Sequence, residues 1–165
     1  NGTINAFERD CLGYMWIGTN QGINRYSGVE FKNYALDDNN KIKGKEIADL
    51  LNVKGNLYAI SSGGSLIKYH YEKDLFEELY TETKNSFISL TNLNDSNILI
   101  GLSAGFIIYD LATHQATGIQ QRNFINNRKV KFYNNKVYSA SSKGLSVFSY
   151  QQNTKTLSIE KTYIS

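Results

Sequence analysis

The sequence predicts an all-β protein assembled from tandem repeats. A pattern of an apolar run, small residues, a turn and a second apolar run occurs four times along the 165 residues. Tyrosine and phenylalanine, which favour strands, number 12 and 8, and 13 glycines supply turns. The copies recur at intervals of about 40 residues, a period typical of units made of a few short strands.

Each copy of the pattern has the same internal order. The copies are Tyr14–Tyr26, Leu57–Tyr69, Ile98–Tyr109 and Val137–Phe148. The residues at the equivalent turn position are Gly22, Ser65, Gly105 and Gly144. We expect a positive φ at this position, because a tight reversal between two strands is easiest for glycine.

Composition limits the classes of function. Apolar residues make up 41% of the chain and aromatic residues 13%, which favours a packed core over disorder. The net charge of +3 is too small to indicate nucleic-acid binding. Cys11 is the one cysteine, so it cannot form an internal disulfide and does not define a redox compartment. The sequence shows neither a signal peptide nor a run of about 18 apolar residues that would span a membrane.

Four strands can be read in each copy from runs of β-branched and aromatic residues bounded by turn residues. In the first copy they are Ile4–Glu8, Tyr14–Thr19, Ile23–Tyr26 and Val29–Tyr34. In the second they are Ile47–Val53, Leu57–Ser61, Leu66–Tyr71 and Leu75–Tyr80, and in the third Ile88–Leu93, Ile98–Leu102, Phe106–Leu111 and Thr117–Gln121. In the fourth they are Val130–Tyr133, Lys136–Ala140, Leu145–Tyr150 and Leu157–Tyr163.

One segment carries a conflicting signal. Gly44–Val53 places Ile47, Leu50 and Leu51 at helical spacing. The repeat nevertheless predicts the innermost strand of the second copy here, and a period sustained over the whole chain outweighs ten residues of local pattern.

Tandem four-stranded antiparallel units of this size are typical of a β-propeller. We therefore predict a propeller fragment of about four blades, at residues 1–39, 40–83, 84–123 and 124–165. A solenoid of β-hairpins is the weaker alternative. The end blades of a fragment have one face without a neighbour, so we also expect self-association.

The stretch from Phe7 to Tyr34 resembles the two-component regulator propeller repeat. The residues that match its motif are Asp10, Gly13, Trp16, Ile17, Gly18, Thr19, Gly22, Asn24, Arg25, Tyr26, Gly28, Phe31 and Tyr34. Ile23 stands where the motif has leucine, and Ser27 where it has aspartate. The other three copies keep the spacing but little of the motif.

This resemblance implies a place and a role. Repeats of the family build the sensor regions of membrane-bound regulators, notably hybrid two-component histidine kinases of gut Bacteroidetes. It implies a periplasmic sensor fragment, the first four blades of a first propeller, whose partners are the remaining blades of the same receptor. Ligands in the family are commonly glycans or their breakdown products. The motif residues are structural, so no ligand-binding residue can be assigned.

A serine motif suggests catalysis but is better explained by the repeat. Gly101 to Gly105 matches the G-x-S-x-G nucleophile elbow, which would make Ser103 an acyl-transfer nucleophile. Ser103 aligns with turn residues of the other copies, and an elbow needs a strand-to-helix turn that an antiparallel blade lacks. His114 is the single histidine downstream of it. We therefore expect no catalytic role for Ser103.

No group of residues predicts a metal or cofactor. His70 and His114 lie in different copies, and with one cysteine there is no cluster at metal-ligand spacing. Lys41, Lys43 and Lys45 surround a Gly-Lys pair but lack phosphate-loop spacing, so we interpret them as a solvated linker.

The densest basic stretch contains Arg122, Arg128, Lys129 and Lys131 near Phe124. It could hold an anionic sugar by charge and stacking, although a solvated loop is the simpler interpretation. Trp16 could stack on a carbohydrate, yet its chargeless strand favours the core. The segments Asn94–Ser96 and Asn1–Thr3 fit glycosylation sequons, which matter little in a bacterial protein.

Three hypotheses for function remain open. The first is the ligand-sensing extracytoplasmic part of a two-component receptor, which would carry no catalytic residues in this segment. The second is a propeller-fold glycan lyase or hydrolase, which would need paired carboxylates or a metal near the axis. Its candidates, Asp10, Asp49, Asp95 and Asp110, occupy scattered repeat positions and form no visible pair. The third is a purely structural, protein-interaction propeller.

Overall fold

The computed structural model describes residues 2–34, 36, 44–119 and 127–164. These residues form four antiparallel sheets of four strands each, in tandem along the chain, as predicted. Sheet A contains β1 (Ile4–Arg9), β2 (Met15–Thr19), β3 (Gly22–Tyr26) and β4 (Phe31–Tyr34). Sheet B contains β5 (Ile47–Val53), β6 (Asn56–Ser61), β7 (Ser65–His70) and β8 (Leu75–Thr81).

Sheet C contains β9 (Phe87–Asn92), β10 (Asn97–Leu102), β11 (Phe106–Asp110) and β12 (Ala116–Ile119). Sheet D contains β13 (Asn127–Tyr133), β14 (Lys136–Ser141), β15 (Gly144–Gln151) and β16 (Thr156–Tyr163). In every sheet the strands are hydrogen-bonded in chain order. Such meanders follow from short hairpin turns, because consecutive antiparallel strands can be joined by very few residues.

The segment with helical spacing is a strand. The first strand of sheet B runs over Ile47–Val53, the range that the repeat predicted. It pairs with β6, so that Leu50 lies opposite Ala59 and Leu51 opposite Tyr58. Leu50 is buried in the core. Tertiary pairing therefore overrides the local helical signal.

Differences from the predicted strands occur at their ends. Val29 lies in the turn before β4, because Ser27 N–H donates to the Glu30 carbonyl and closes the hairpin. The predicted end of the outer strand of the third copy, residues 120 and 121, lies outside the described residues, as do the predicted limits between blades at 39, 40, 123 and 124.

Positive φ at the repeat turn is confirmed in three copies, with Gly22 at 123°, Gly105 at 98° and Gly144 at 112°. The expectation for Ser65 is wrong, because Gly64, with φ 96°, makes the reversal instead. A Cβ on Gly64 would lie 2.3 Å from the Glu82 carbonyl oxygen. The turn of the second copy thus moves by one residue to a glycine, the residue that tolerates both the φ and the close approach.

The last copy has a longer third strand than the others. β15 has 8 residues, whereas β3, β7 and β11 have 5, 6 and 5. Counted from the preceding turn, Phe148 matches Tyr69 and Tyr109; counted from the following turn, Tyr150 matches them, since Tyr150 pairs with Leu157. Phe148 is therefore equivalent to Tyr69 and Tyr109 only when positions are counted from the turn that precedes the strand.

The chain divides into two compact units, Asn1–Phe87 and Ile88–Ser165. The first contains sheets A and B, with one buried cluster that includes Trp16, Ile23, Ile47 and Tyr69. The second contains sheets C and D, with a cluster that includes Phe106, Val130 and Phe148. Within the described ranges, there is no helix of the length and hydropathy needed to cross a membrane.

Candidate functional site

The motif residues of the first copy meet in the core of the first unit. Asp10 is 5% exposed and directly follows β1. Its Oδ1 accepts hydrogen bonds from the backbone N–H groups of Leu12 (3.0 Å) and Tyr14 (2.9 Å), and its Oδ2 accepts one from Trp16 Nε1 (2.7 Å). The carboxylate therefore closes the β1–β2 turn and satisfies the buried indole.

Trp16 is fully buried, so the prediction that it belongs to the core is confirmed. Its ring centroid lies 4.6 Å from that of Tyr69, 5.4 Å from Tyr34 and 5.7 Å from Phe76. Arg25 covers this aromatic cluster, with Cζ 4.6 Å from the Tyr14 ring centroid. Trp16 and Arg25 therefore hold sheet A on sheet B, and the buried indole is not exposed to a ligand.

A charged network lies at the rim of that cluster, and we call it the first clasp. Asp74, on the β7–β8 turn, accepts hydrogen bonds from Tyr34 OH (2.5 Å), Tyr69 OH and Lys32 Nζ. Arg25 Nη1 lies 3.4 Å from Asp74 Oδ1. The hydrogen bond from Lys32, followed by those of the two tyrosines, holds the pKa of the Asp74 carboxyl well below its usual value.

A second clasp lies in the second unit. Asp110, at the end of β11, accepts hydrogen bonds from Lys155 Nζ (2.7 Å) and from the backbone N–H groups of Ala112 and Thr113 (both 2.9 Å). The Lys155 hydrogen bond is the main reason that the pKa of the Asp110 carboxyl is lowered. Lys155 lies on the β15–β16 turn, so this ion pair links sheet D to sheet C.

Ser103 lies in the hairpin between β10 and β11, not in a strand-to-helix turn. His114 lies beyond the other end of β11, where its Nδ1 is 3.0 Å from Tyr109 OH. A five-residue strand such as β11 spans about 16 Å. The serine and the histidine are therefore at opposite ends of sheet C, too far apart for a nucleophile and its base.

The other ionisable candidates remain dispersed. His70 ends β7, with Nε2 2.8 Å from Glu77 Oε2. His114 is exposed on its turn, whereas His70 is half-buried. Among the described residues, no three His, Cys, Asp or Glu side chains are grouped so that they could hold a metal ion. Cys11 is exposed, with Sγ 3.6 Å from the Gly55 carbonyl oxygen.

Of the acidic candidates, Asp49 is buried on β5 and Asp95 is exposed on the β9–β10 turn. Together with the structural roles of Asp10 and Asp110, this leaves the four aspartates in separate places. Of the lysines near Gly44, Lys45 precedes β5, whereas Lys41 and Lys43 lie outside the described residues. Asn1 of the predicted sequon also lies outside them.

Part of the predicted basic stretch forms a basic face on sheet D. Arg122 and Phe124 lie outside the described residues, and Arg128 is exposed on β13. Lys131 lies in register with Tyr138, Val147 and Lys161 across the sheet, so these four side chains point to one side. A shallow cavity of about 410 Å³ on this side is lined by Lys136, Tyr138, Val147, Glu160, Lys161 and Tyr163.

Sheet A presents an exposed face of different chemistry, which we call the apolar face. Phe7, Ile17 and Asn24 lie in register across the sheet, and Met15, Tyr26 and Phe31 form the next row. Phe7 is 61% and Phe31 66% exposed. Tyr26 and Phe31 stack with ring centroids 4.6 Å apart.

Sequence reasoning missed a polar cavity in the second unit. Its volume is about 480 Å³, and its described lining residues are Asn94, Asp95, Ser96, Asn97 and Gln152. In the sequence, the first three were interpreted as a glycosylation sequon, and Asp95 also as one of the scattered acidic candidates. The run of Asn, Asp and Ser in the β9–β10 turn was the only feature of the sequence that could have indicated this cavity. No sequence pattern predicts that Gln152 on the β15–β16 turn lies close to it.

The fold defines the class of protein. Four-stranded antiparallel sheets repeated in tandem, with motif side chains packed between neighbouring sheets of a unit, make this chain an all-β propeller fragment of four blades. The second strands β6 and β10 are buried along their length on both faces, apart from the half-buried Asn56, as blades require.

Solved structures with a similar fold include extracellular domains from B. thetaiotaomicron. The chain superposes on the extracellular domain assigned to the hybrid two-component system BT4673 of B. thetaiotaomicron with a TM-score of 0.77, at 19% identity, covering 99% of this chain and 22% of that one. The extracellular domain of BT3049 from the same organism matches with a TM-score of 0.51, at 17% identity, over 96% of this chain and 30% of that one.

Two further similarities are to an auxiliary nutrient binding protein of B. thetaiotaomicron and to the designed protein Ika4. The first has a TM-score of 0.74 at 12% identity, covering 99% of this chain and 42% of that one. The second has a TM-score of 0.64 at 14% identity, covering 100% of this chain and 93% of that one. The chain thus spans about a fifth of the BT4673 domain. No protein-family model matches the sequence, and no curated protein matches it.

Proposed function

We propose that this chain is part of the extracytoplasmic, ligand-sensing region of a two-component signalling receptor, and that the signal is a glycan or a glycan fragment. The observation that carries the proposal is the superposition of 99% of the chain on the extracellular domain assigned to such a system. The motif shared with the regulator propeller repeat supports it. The receptor's catalytic residues would lie in its kinase region, outside this segment.

The roles of the acidic side chains support a sensor over a glycan lyase or hydrolase. Asp10 holds Trp16, Asp74 joins the first clasp and Asp110 joins the second. A glycosidase needs two carboxyl groups facing one another across the substrate. These three carboxylates instead accept hydrogen bonds from other groups of the protein, so their roles are structural.

Reading the gene on both sides of this segment tests the proposal. A receptor predicts further propeller repeats, a membrane span and a histidine-kinase region in the same frame. A stop codon directly after Ser165 would contradict it, and a glycosidase module in the frame would favour the enzyme.

Ligand binding is then measured on the complete sensor region with a thermal-shift screen of neutral and acidic oligosaccharides. A saturable rise in Tm with one glycan is expected, because a ligand that binds the folded state alone stabilises it. An unrelated propeller of similar size is the control. If no glycan raises the Tm, the proposed ligand class is contradicted. The receptor assignment would then still be tested by the reading frame of the gene.

A second candidate role, protein assembly, is favoured by the apolar face of sheet A. Phe7, Met15 and Phe31 are large apolar side chains that are exposed on this face. Exposed apolar surface of this kind marks contact sites for other protein surfaces. The expected partners are other blades of the receptor or a second copy of the chain.

A further inference from the structure

The outer strand of sheet D repeats a pair of side chains that sheet A uses in the first clasp. Tyr34 on β4 pairs with the residue that follows the turn glycine of its copy, and so does Tyr163 on β16. Lys32 and Lys161 lie two residues before these tyrosines, also at equivalent positions in the register. In both sheets the lysine lies over its tyrosine, with Nζ 5.1 Å from the Tyr34 ring centroid and 4.5 Å from that of Tyr163. The same pair is therefore present on two sheets.

The two pairs differ in what they contact. Tyr34 is 9% exposed, and its OH and Lys32 Nζ both donate to the Asp74 carboxylate of sheet B. Tyr163 is 50% exposed and Lys161 is exposed as well. Neither Lys161 Nζ nor Tyr163 OH contacts an acceptor among the described residues. Sheet D thus presents the donor half of a clasp, and the group that complements two such donors is a carboxylate.

Sheet A provides a carboxylate at the position that Asp74 has in sheet B. Asp74 is the last residue of the turn 71–74 and directly precedes the outer strand of its sheet. Glu30 is the last residue of the turn 27–30 and directly precedes β4. Glu30 is exposed, and its carboxylate has no hydrogen bond or ion pair within the described part of the chain. The chain therefore carries a donor half on sheet D and an acceptor half on sheet A.

The apolar surroundings of the two halves also correspond to the two sides of the contact between sheets A and B. On the basic face of sheet D, Tyr138 takes the register position of Trp16, and Leu145 takes that of Ile23. The exposed residues of the apolar face take the positions of three residues of sheet B that pack on sheet A: Phe7 matches Leu50, Met15 matches Leu57 and Phe31 matches Phe76. The two faces are therefore complementary in apolar character as well as in charge.

We propose that the basic face of sheet D in one copy of the chain docks on the apolar face of sheet A in a second copy, with Glu30 accepting from Lys161 and Tyr163. Apolar burial supplies affinity, and the charge pair determines which faces meet. The contact is head-to-tail because the two faces differ, so it can join more than two copies. Lys131, three strands and about 14 Å from Lys161 across the sheet, lies outside the clasp. This inference rests on the assembly role proposed above and names its two surfaces.

Two charge reversals test the inference, measured by sedimentation velocity on the 165-residue chain. Glu30→Lys and Lys161→Glu each place like charges in the contact, so each should weaken self-association at least about tenfold. An equimolar mixture should associate again, because one variant keeps Lys161 and the other keeps Glu30. Both variants have a net positive charge, so attraction between oppositely charged proteins does not explain such a recovery. Lys84→Glu, at an exposed lysine of the first unit, is the matched control and should associate like the natural chain.

Other results overturn the inference. Association that Phe31→Ser reduces but Lys161→Glu leaves unchanged would keep the assembly role and remove sheet D from the contact. If the mixture does not associate although circular dichroism shows both variants folded, Glu30 and Lys161 do not meet. Association that requires neighbouring repeats from the same gene would make another repeat the occupant instead of a second copy. A natural chain that stays monomeric at high concentration would contradict the assembly role too, while the reading frame of the gene tests the receptor independently.

Discussion

In both units a clasp residue lies directly before the outer strand of the second sheet, but this residue is acidic in the first unit and basic in the second. Asp74 and Lys155 each precede the outer strand of their sheet, with φ of 53° and 50°. Asp74 attracts cations of sheet A, whereas Lys155 attracts a carboxylate of sheet C. A charged residue of a clasp thus precedes the outer strand in both sheet B and sheet D, but the sign of its charge differs between the two units.

The clasps also differ in what surrounds them. Asp74 has several side-chain donors, but its side chain is 38% exposed, while that of Asp110 is 14% exposed. Asp110 accepts two backbone hydrogen bonds in addition to its ion pair. The first unit relies instead on the aromatic cluster around Trp16. This difference predicts which substitutions unfold which unit.

The largest effect is expected from Trp16→Ala. Removing a fully buried indole should lower the free energy of unfolding by about 3–5 kcal/mol. Urea denaturation followed by circular dichroism measures it, and hydrogen exchange should place the loss of protection in residues 2–87. Trp16→Phe, which keeps an aromatic ring but loses the bond to Asp10, should cost less. Equal losses in both units would show that the cluster does not act on the first unit alone.

A smaller effect is expected from Asp110→Ala, about 1–3 kcal/mol, because two backbone N–H groups and Lys155 lose a charged acceptor. Lys155→Ala removes only the ion pair and should cost about 0.5–1 kcal/mol. The same denaturation measurement compares them. If Lys155→Ala is as damaging as Asp110→Ala, the backbone hydrogen bonds of Asp110 contribute nothing.

Exchanging the two charges of the second clasp tests whether the clasps are equivalent. The double variant Asp110→Lys, Lys155→Asp gives the second clasp the polarity of the first. We expect it to stay about 1–2 kcal/mol less stable than the natural protein, because lysine cannot accept the N–H groups of Ala112 and Thr113. Full recovery of stability in denaturation would show that the clasps are interchangeable.

Acid should weaken both clasps. Their hydrogen bonds hold the pKa values of Asp74 and Asp110 below that of an unfolded aspartate, about 3.9. The folded state then binds fewer protons than the unfolded state, so this stabilisation is complete above about pH 5 and decreases as the pH falls below the unfolded pKa. Denaturation midpoints between about pH 5 and pH 2.5 measure it. Asp110→Ala should show a shallower decrease, and an unchanged slope would contradict the role of this carboxyl.

The smallest change in stability, within about 0.5 kcal/mol, is expected for Phe31→Ser on the apolar face. Its effect should be on association, since Phe31 is 66% exposed. Light scattering of the 165-residue chain should show self-association that Phe31→Ser reduces. Lys131→Ser, on the basic face of sheet D, is the control and should change it little. A natural chain that is a stable monomer and resists unfolding would contradict the expectation that its end faces need partners.

Much of the architecture follows from features that are local along the chain. Runs of β-branched and aromatic residues bounded by turn residues predicted the number and order of the strands. The repeat period also predicted a strand correctly where Ile47, Leu50 and Leu51 have helical spacing. The burial of Trp16 followed from the absence of charge in its strand. Ser65 was misassigned because its neighbour Gly64 could serve the turn equally well, and a one-residue shift leaves the period unchanged.

The sequence by itself therefore determined the class of fold, the strands within each repeat and the structural character of the motif. Only the tertiary structure decided which side chains face one another across sheets. Lys155 and Asp110 are 45 residues apart, and Lys32 and Asp74 are 42 apart. The same holds for the cavity, whose two walls come from turns of different sheets. Contacts between repeats depend on how whole sheets pack, and no local pattern of residues records that packing.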